Sequence, residues 1–483
     1  MSTNTSGAIS PKQRHNRNAA VRIGFVSLGC PKTLVDSEVM LGHLAEHGFQ
    51  LVDDPEQSDV VVINTCSFIQ DSIQESIDTI MSAATLKREG KIRGIVVTGC
   101  LAQRFKNELP KELHEVDGFL GTSNFDQLPL IVERVLNHER VVEIPQRPGP
   151  VFAGTPTRRL LTAPHVAYVK ISEGCDHRCS FCTIPSFRGD HRSRAMEDIA
   201  VEVEQLVREH GTQEVILVGQ DTTLYGIDRY ESHRLPELLR RVAAAIPHGW
   251  VRLLYTYPTY VSDEMIAAFA EIPNLCKYLD IPLQHINNEM LRRMARLGTK
   301  EEIKTLLDKI RRAVPGVAIR TTFIVGFPGE TDAAFEELVA FVQAQRFERL
   351  GVFRYSPEPG TPSALFDEQV PDAAKQARFA QLMSVQQSIA ESINQSRLGQ
   401  TLRVLVDEMD ASDPTIALAR TEADAPEVDG QVFVRTTSPI TPGTWLTVRV
   451  VDTYEYDLVV EPIVGIAQHA TNDQRQAFKT QGC

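Results

Sequence analysis

Cys175, Cys179 and Cys182 lie in the run Ser172-Glu-Gly-Cys-Asp-His-Arg-Cys-Ser-Phe-Cys182, separated by three and then two residues. That spacing suits three corners of a four-iron cluster and leaves the fourth iron without a protein ligand. Clusters that only carry electrons normally take four thiolates, so a triad on one short loop points to a small molecule that completes the shell. The molecule expected is S-adenosylmethionine, bound through its amino and carboxylate groups, and the reaction class expected is radical chemistry. Zinc is the competing reading, with His177 or His191 as a fourth ligand, although zinc favours paired Cys-x-x-Cys units. A chance grouping is the third.

A second set of cysteines is dispersed in sequence. Cys30, Cys66 and Cys100 each end a strand-like apolar run: Val21 to Cys30, Asp59 to Cys66 and Arg93 to Cys100, each followed by a helical stretch. Between Val21 and about Asn137 such runs alternate with helical patterns, as in a doubly wound parallel sheet. The carboxyl ends of parallel strands share one edge, where ligands bind and helix N-termini point. The three thiols are therefore expected to converge, with buried structural cysteines as the alternative.

The elements that must carry the first triad follow a Pro- and Gly-rich stretch, residues 141–164, read as a linker. Six strand-like runs then alternate with amphipathic helical ones: His165–Ser172, Glu214–Asp221, Trp250–Pro258, Cys276–His285, Val317–Gly329 and Arg349–Pro357. Six β/α units predict an open partial barrel, wide enough at its mouth for a macromolecular substrate. The triad follows the first strand, on the face where barrel active sites are built. Gly219-Gln220-Asp221 ends the second strand and Gly326 lies at the end of the fifth, where glycine permits close approach of a ligand. After a helical stretch from Pro371 to Arg397, the runs Thr401–Val406, Gln431–Arg435 and Trp445–Val451 predict a small β-barrel.

The fold class expected is thus α/β, with an N-terminal doubly wound parallel sheet, a central open partial (β/α) barrel of six units and a C-terminal small β-barrel. The boundaries are a disordered tail 1–20, a first domain 21–140, the linker 141–164, a barrel domain 165–397, a small barrel 398–466 and a tail 467–483. A length of 483 residues fits about three domains of ~150 residues each. No run of about 18 apolar residues predicts a membrane span, and the polar first twenty residues lack an apolar signal core. Eight cysteines, six of them in the two triads, fit metal ligation in a reducing, cytoplasmic setting better than disulfides. Cys276 reads as a small core residue, and Cys483 ends a polar tail without an assigned role.

Charge bears on partners. Fifty basic residues against 63 acidic ones give a net charge of -13, and from Arg397 to Ile466 there are five basic and twelve acidic residues. An acidic small barrel is a poor platform for RNA and a good surface for a basic protein. The pairs Arg292-Arg293 and Arg311-Arg312 are the local exceptions. No Ser-His-Asp set and no phosphate loop is found.

With two triads on separate domains followed by a small β-barrel, the chain resembles the radical S-adenosylmethionine methylthiotransferases over about Val21 to Ile466. The resemblance implies an N-terminal methylthiotransferase domain with an auxiliary 4Fe-4S cluster on Cys30, Cys66 and Cys100. It also implies a radical domain with a second 4Fe-4S cluster on Cys175, Cys179 and Cys182, and a C-terminal TRAM domain. Gly219, Gln220 and Gly326 are implied to line the cofactor pocket, and no catalytic residue beyond the cluster ligands is assigned. One branch of the family modifies adenosine in transfer RNA and another an aspartate in small-subunit ribosomal protein twelve. The runs Ser27-Leu-Gly-Cys-Pro-Lys32, Val35-Asp-Ser-Glu38, Gly219-Gln-Asp-Thr222 and Tyr278 to His285 resemble the ribosomal branch. Thr33 stands where that branch usually has Asn, and Tyr355-Ser-Pro-Glu-Pro-Gly-Thr-Pro362 looks more like the transfer RNA branch.

By that resemblance, S-adenosylmethionine reduced at the radical cluster yields a 5'-deoxyadenosyl radical that removes hydrogen from the aspartate β-carbon. Sulfur held at the auxiliary cluster, methylated by a second S-adenosylmethionine, then joins that carbon. The expected partners are a basic ribosomal protein, free or in the small subunit, and an electron donor, with neither nucleic acid as main substrate nor a membrane. Methylthiolation of transfer RNA is the alternative, and a non-catalytic iron-sulfur protein is the second.

Overall fold

A computed structural model of the chain describes residues 20–149 and 154–463. Residues 1–19 of the N-terminal tail, residues 150–153 of the expected linker, and residues 464–483, which include the end of the expected small barrel and Cys483, lie outside the described residues.

Strands β1 (Arg22–Ser27), β2 (Gln50–Val52), β3 (Val60–Thr65), β4 (Gly94–Gly99), β5 (Gly118–Leu120) and β6 (Val141–Glu143) form one parallel sheet in the order β2-β1-β3-β4-β5-β6. β3 and β4 are buried along their whole length. Helices on both faces leave no solvated side, which is why these strands read as unbroken Val and Ile rather than alternating. The register pairs Ser27 with Asn64 and Thr65 with Gly99, so β1, β3 and β4 end level with one another. Strand order reverses between β1 and β3, the position where open α/β sheets bind ligands. The stretch read as linker begins instead with β6. It pairs only with β5, and an edge strand of three residues is too short to show periodicity.

The central sheet comprises β7 (Val166–Lys170), β10 (Glu214–Val218), β11 (Trp250–Leu253), β12 (Leu275–Asp280), β13 (Ala318–Val325) and β14 (Arg349–Arg354), all parallel, with β14 and β7 at its open edges. A small hairpin, β8 (Ser172–Glu173) with β9 (Arg192–Ser193), frames the loop of Cys175, Cys179 and Cys182. Side chains alternate across the sheet. Ala167, Val169, Val215 and Leu217 pack under the outer helices, whereas Val166, Tyr168, Ile216 and Val218 face inward. That inner face meets Val35 of helix α1 (Pro31–Glu46) and Leu405, Ala423 and Ala425 of the C-terminal barrel. Both flanking domains thus cover the concave side of the open barrel.

Helix Asp372–Gln395 leads to the closed barrel of β15 (Thr401–Met409), β16 (Ile416–Arg420), β17 (Val432–Arg435), β18 (Trp445–Thr453) and β19 (Leu458–Pro462). The barrel docks through buried charge. Glu214, at the start of β10, accepts hydrogen bonds from Arg252 at 2.7 Å and Arg420 at 2.6 Å, and Arg420 also holds Asp407 at 2.7 Å. Arg349 pairs with Asp424, and Tyr278 donates to Asp429 at 2.6 Å. The acidic excess of this domain is therefore partly turned inward. Asp407, Asp424 and Asp429 neutralise or cap groups of the protein itself, so the acidic face left for a partner is smaller than the sequence count implies. Arg320 pairs with Asp280 at 3.0 Å, and Arg311 with Glu348 at 2.8 Å. No described helix is long and apolar enough to cross a membrane.

Candidate active site

Cys30 occupies the N-cap position of α1, Cys66 directly follows β3, and Cys100 opens the short helix α2 (Cys100–Arg104). The level strand ends bring their loops into contact. A Cβ on Gly29 would lie 3.1 Å from the Cys66 sulfur, and Gly29 has a φ of +97°. The Thr33 hydroxyl donates to the Cys30 carbonyl at 2.7 Å, and the Ser76 hydroxyl accepts from the Cys66 N–H at 3.1 Å. Burial pushes the Cys30 thiol up, but the positive charges of Lys32 and Arg188 and the backbone at Thr33 outweigh it, leaving the group below its ordinary value. Cys66 is raised by burial. Cys100 is pushed up to about 12 by burial, against the opposing charge of Arg188.

The loop of Cys175, Cys179 and Cys182 is braced from all sides. Gly174 N–H donates to Gln220 Oε1 at 2.9 Å, Cys175 N–H to the Gly189 carbonyl at 3.0 Å, and Ser180 N–H to the Met294 carbonyl at 3.0 Å. Burial raises Cys175 and Cys182 to about 12. All six thiols are free. No group of three or more His, Cys, Asp or Glu among the described residues is gathered closely enough for a single metal ion. The fit of each triad to a cluster rests on its donor set: three sulfurs, soft ligands on one loop or one sheet edge, whose protons a bound metal displaces outright.

Between the triads runs a seam of buried charge. Arg188, at the end of helix Ile184–Arg188, donates through Nη2 to the Cys100 sulfur at 3.1 Å and through Nη1 to Asp36 at 2.8 Å and Glu173 at 3.1 Å. Lys170 on β7 pairs with Asp36 and, at 2.6 Å, with Glu173. Gln220 donates to the same Glu173. The Lys32 ammonium lies 3.4 Å from the ring centroid of Tyr255, whose φ is +64°. Outside the seam, Arg104 joins Glu358 at 3.1 Å, with both side chains at most 5% exposed, so the N-terminal domain is latched to the loop after β14.

Residues 169–342 match the Radical SAM superfamily, residues 22–121 an uncharacterized protein family, UPF0004, and residues 398–463 the TRAM domain. The chain is 44% identical over 443 residues to a ribosomal protein uS12 methylthiotransferase RimO of Desulforamulus reducens, covering 91% of this chain and 99% of that one. The corresponding protein of an Anaeromyxobacter species is 46% identical over 442 residues, covering 91% and 93%. The chain belongs to the RimO family of radical S-adenosylmethionine methylthiotransferases. Its fold is also similar to the radical S-adenosylmethionine methyltransferase TsrM of Kitasatospora setae, with a TM-score of 0.53 and 15% identity over 72% of this chain and 75% of that one. A 4Fe-4S cluster and S-adenosylmethionine are accordingly cofactors of this RimO-family enzyme.

In the RimO-family frame, each residue singled out in the sequence has a place. His177 Nε2 is held by Asp221 at 2.7 Å with its ring stacked on Tyr257, and His191 Nε2 meets Ser193 Oγ at 3.2 Å. A Cβ on Gly219 would lie 2.5 Å from Ser172 Oγ, and at Gly326, φ +72°, it would collide with the Lys375 side chain. The positive φ and the Lys375 stem favour glycine at 326, whereas at 219 only the rotatable Ser172 hydroxyl stands within 3 Å. Phe181 stacks edge-on against Phe327, Cys276 is buried in the core, and Arg293 is paired with Glu368. The Tyr355–Pro362 run supplies Glu358 to the interdomain latch. Sequence reading missed Lys32, Lys170, Glu173, Arg188 and Tyr255. A lysine inside the apolar run Val166–Ile171 was the available signal, since a charge on a buried strand demands a partner.

Proposed function

We propose that the enzyme methylthiolates the β-carbon of an aspartate in ribosomal protein uS12 and does so with two 4Fe-4S clusters, an auxiliary one on Cys30, Cys66 and Cys100 and a radical one on Cys175, Cys179 and Cys182. The observation that carries this reading is the Arg188 guanidinium. Six residues after Cys182, it touches the sulfur of Cys100, so the two triads share one buried seam. When bound, the radical cluster and S-adenosylmethionine supply one-electron chemistry able to remove hydrogen from an unactivated carbon. The chain's own residues place and shield that chemistry. Cys175, Cys179 and Cys182 would hold the radical cluster, and Cys30, Cys66 and Cys100 the auxiliary one, each through three thiolates. Gly219, Gln220 and Gly326, at the ends of β10 and β13, belong to the cofactor side, where Gln220 links the radical loop to Glu173.

Water exclusion follows from the packing. α1 lies against the inner face of the open barrel, and the Arg104–Glu358 latch holds the two domains over it. Lys32 and Arg188 set positive charge beside the auxiliary sulfurs. The enzyme further needs an external electron donor and works where thiols stay reduced, in the cytoplasm.

Anaerobically reconstituted enzyme, given a reductant, S-adenosylmethionine and the small-subunit protein, tests the assignment. Wild type is expected to form both 5'-deoxyadenosine and methylthiolated protein, whereas Cys100→Ala keeps the first product and loses the second. Methylthiolation surviving in Cys100→Ala would remove the auxiliary cluster from the reaction.

A further inference from the structure

Arg188 spans the boundary between the two cysteine-bearing domains. Its helix belongs to the radical domain, immediately after the loop of Cys175, Cys179 and Cys182, while two of its three partners, Asp36 and Cys100, belong to the N-terminal domain. The side chain is 2% exposed. Its carboxylate partners are shared with Lys170, so Asp36 and Glu173 face two cations each way through Nζ of Lys170 and Nη1 of Arg188. That leaves Nη2 directed at the Cys100 sulfur at 3.1 Å, a hydrogen bond that the ion pairs with Asp36 and Glu173 do not require.

We propose that Arg188 is a positioning residue of the auxiliary cluster: from the radical domain it donates a charge-assisted hydrogen bond to the Cys100 sulfur and thereby raises that cluster's reduction potential. The inference rests on the two-cluster reading above. Its physical basis is general. Hydrogen bonds to cluster sulfurs are among the terms that set potentials, and a buried cation favours the form with one more negative charge. Asp36 and Glu173 carry two negative charges against the two positive ones of Lys170 and Arg188, so the group is neutral as a whole, and it is the Nη2 hydrogen bond, the contact nearest the sulfur, that acts on Cys100. Lys32 acts on Cys30, at the other side of the same triad. Because Arg188 sits on the helix after the radical loop, the potential of one cluster is tied to the fold around the other.

The test uses full-length chain carrying Cys175→Ala, Cys179→Ala and Cys182→Ala, so that the only cluster is the auxiliary one, followed by redox titration read by electron paramagnetic resonance. Adding Arg188→Gln is expected to lower the reduced-to-oxidised ratio at fixed solution potential at least tenfold, about 59 mV for one electron. Arg188→Lys, which keeps the charge, is expected to recover more than half of the shift on the potential scale and serves as the test should the Gln variant fail to fold. Asp36→Asn, which removes a negative charge and disturbs the ion pairs but leaves the contact with Cys100, is expected to lower thermal stability without lowering the potential. Potentials of the Gln and Lys variants equal to the parent's, with stability lost as in Asp36→Asn, would make Arg188 purely structural and overturn the inference alone. A parent that binds no iron at Cys30, Cys66 and Cys100 would overturn both the inference and the two-cluster reading.

Discussion

Gly99 ends β4 immediately before Cys100, and its replacement by alanine tests how tightly the strand end holds the auxiliary triad. Its φ of 94° and ψ of -157° fall in a region that is essentially reserved for glycine, where another residue costs roughly 1–3 kcal/mol. An added Cβ would also collide with Asn64 Oδ1 and lie 2.6 Å from the Thr65 carbonyl oxygen. Asn64 cannot easily withdraw, because its amide donates to the Thr33 carbonyl at 3.0 Å and to Ser37 Oγ at 2.8 Å. Overpacking of this kind adds roughly 1–3 kcal/mol, so Gly99→Ala should destabilise by about 2–6 kcal/mol in all. Gly90 is the internal control. It also has a positive φ, +75°, but nothing lies within 4 Å of its Cβ position, so Gly90→Ala should cost only about 1–2 kcal/mol. The assay is urea unfolding of the metal-free chain, paired with iron content after reconstitution. Equal losses in the two variants, with full iron retained in Gly99→Ala, would refute the steric account of this strand end.

Glu214→Gln should cost roughly 3–5 kcal/mol, because Arg252 and Arg420 lose their shared counterion in a buried site, and scanning calorimetry should show the C-terminal barrel melting earlier. Burial alone would raise the Glu214 carboxyl, yet Arg420 and Arg252 hold it below the usual carboxylate range. Its stabilising contribution is thus complete above the unfolded-state value and is lost as pH falls through the lower folded one, so the wild-type advantage over Glu214→Gln should shrink in acid. In the metal-free protein, alkylation followed by peptide mapping should find the pH midpoint of Cys30 below an ordinary thiol and those of Cys66 and Cys100 above it, with Lys32→Met moving only Cys30 upward.

Local chemistry made much of this molecule readable from sequence. Unbroken Val and Ile runs located β3 and β4, the positions of Cys66 and Cys100 at strand ends were legible, and six alternating units gave the open barrel. What escaped notice depends on partners far apart in the chain. Lys170 is stabilised by Asp36 and Arg188 by Cys100, pairings that exist only once the N-terminal domain covers the barrel's inner face. β16, rich in alanine, and the short β19 carry weak strand signals and are defined by barrel closure. The acidic count of the C-terminal domain misled for a related reason, since charge on a sequence does not say which face it occupies.

The destination of the methylthio group separates a ribosomal-protein substrate from transfer RNA. Mass spectrometry of small-subunit ribosomal proteins and of transfer RNA nucleosides, from a strain lacking this gene and from its parent, reads that directly. The expected result is a uS12 aspartate that loses its methylthio group in the deletion strain while the nucleosides are unchanged. Loss of a methylthio group from transfer RNA with uS12 intact would contradict the account.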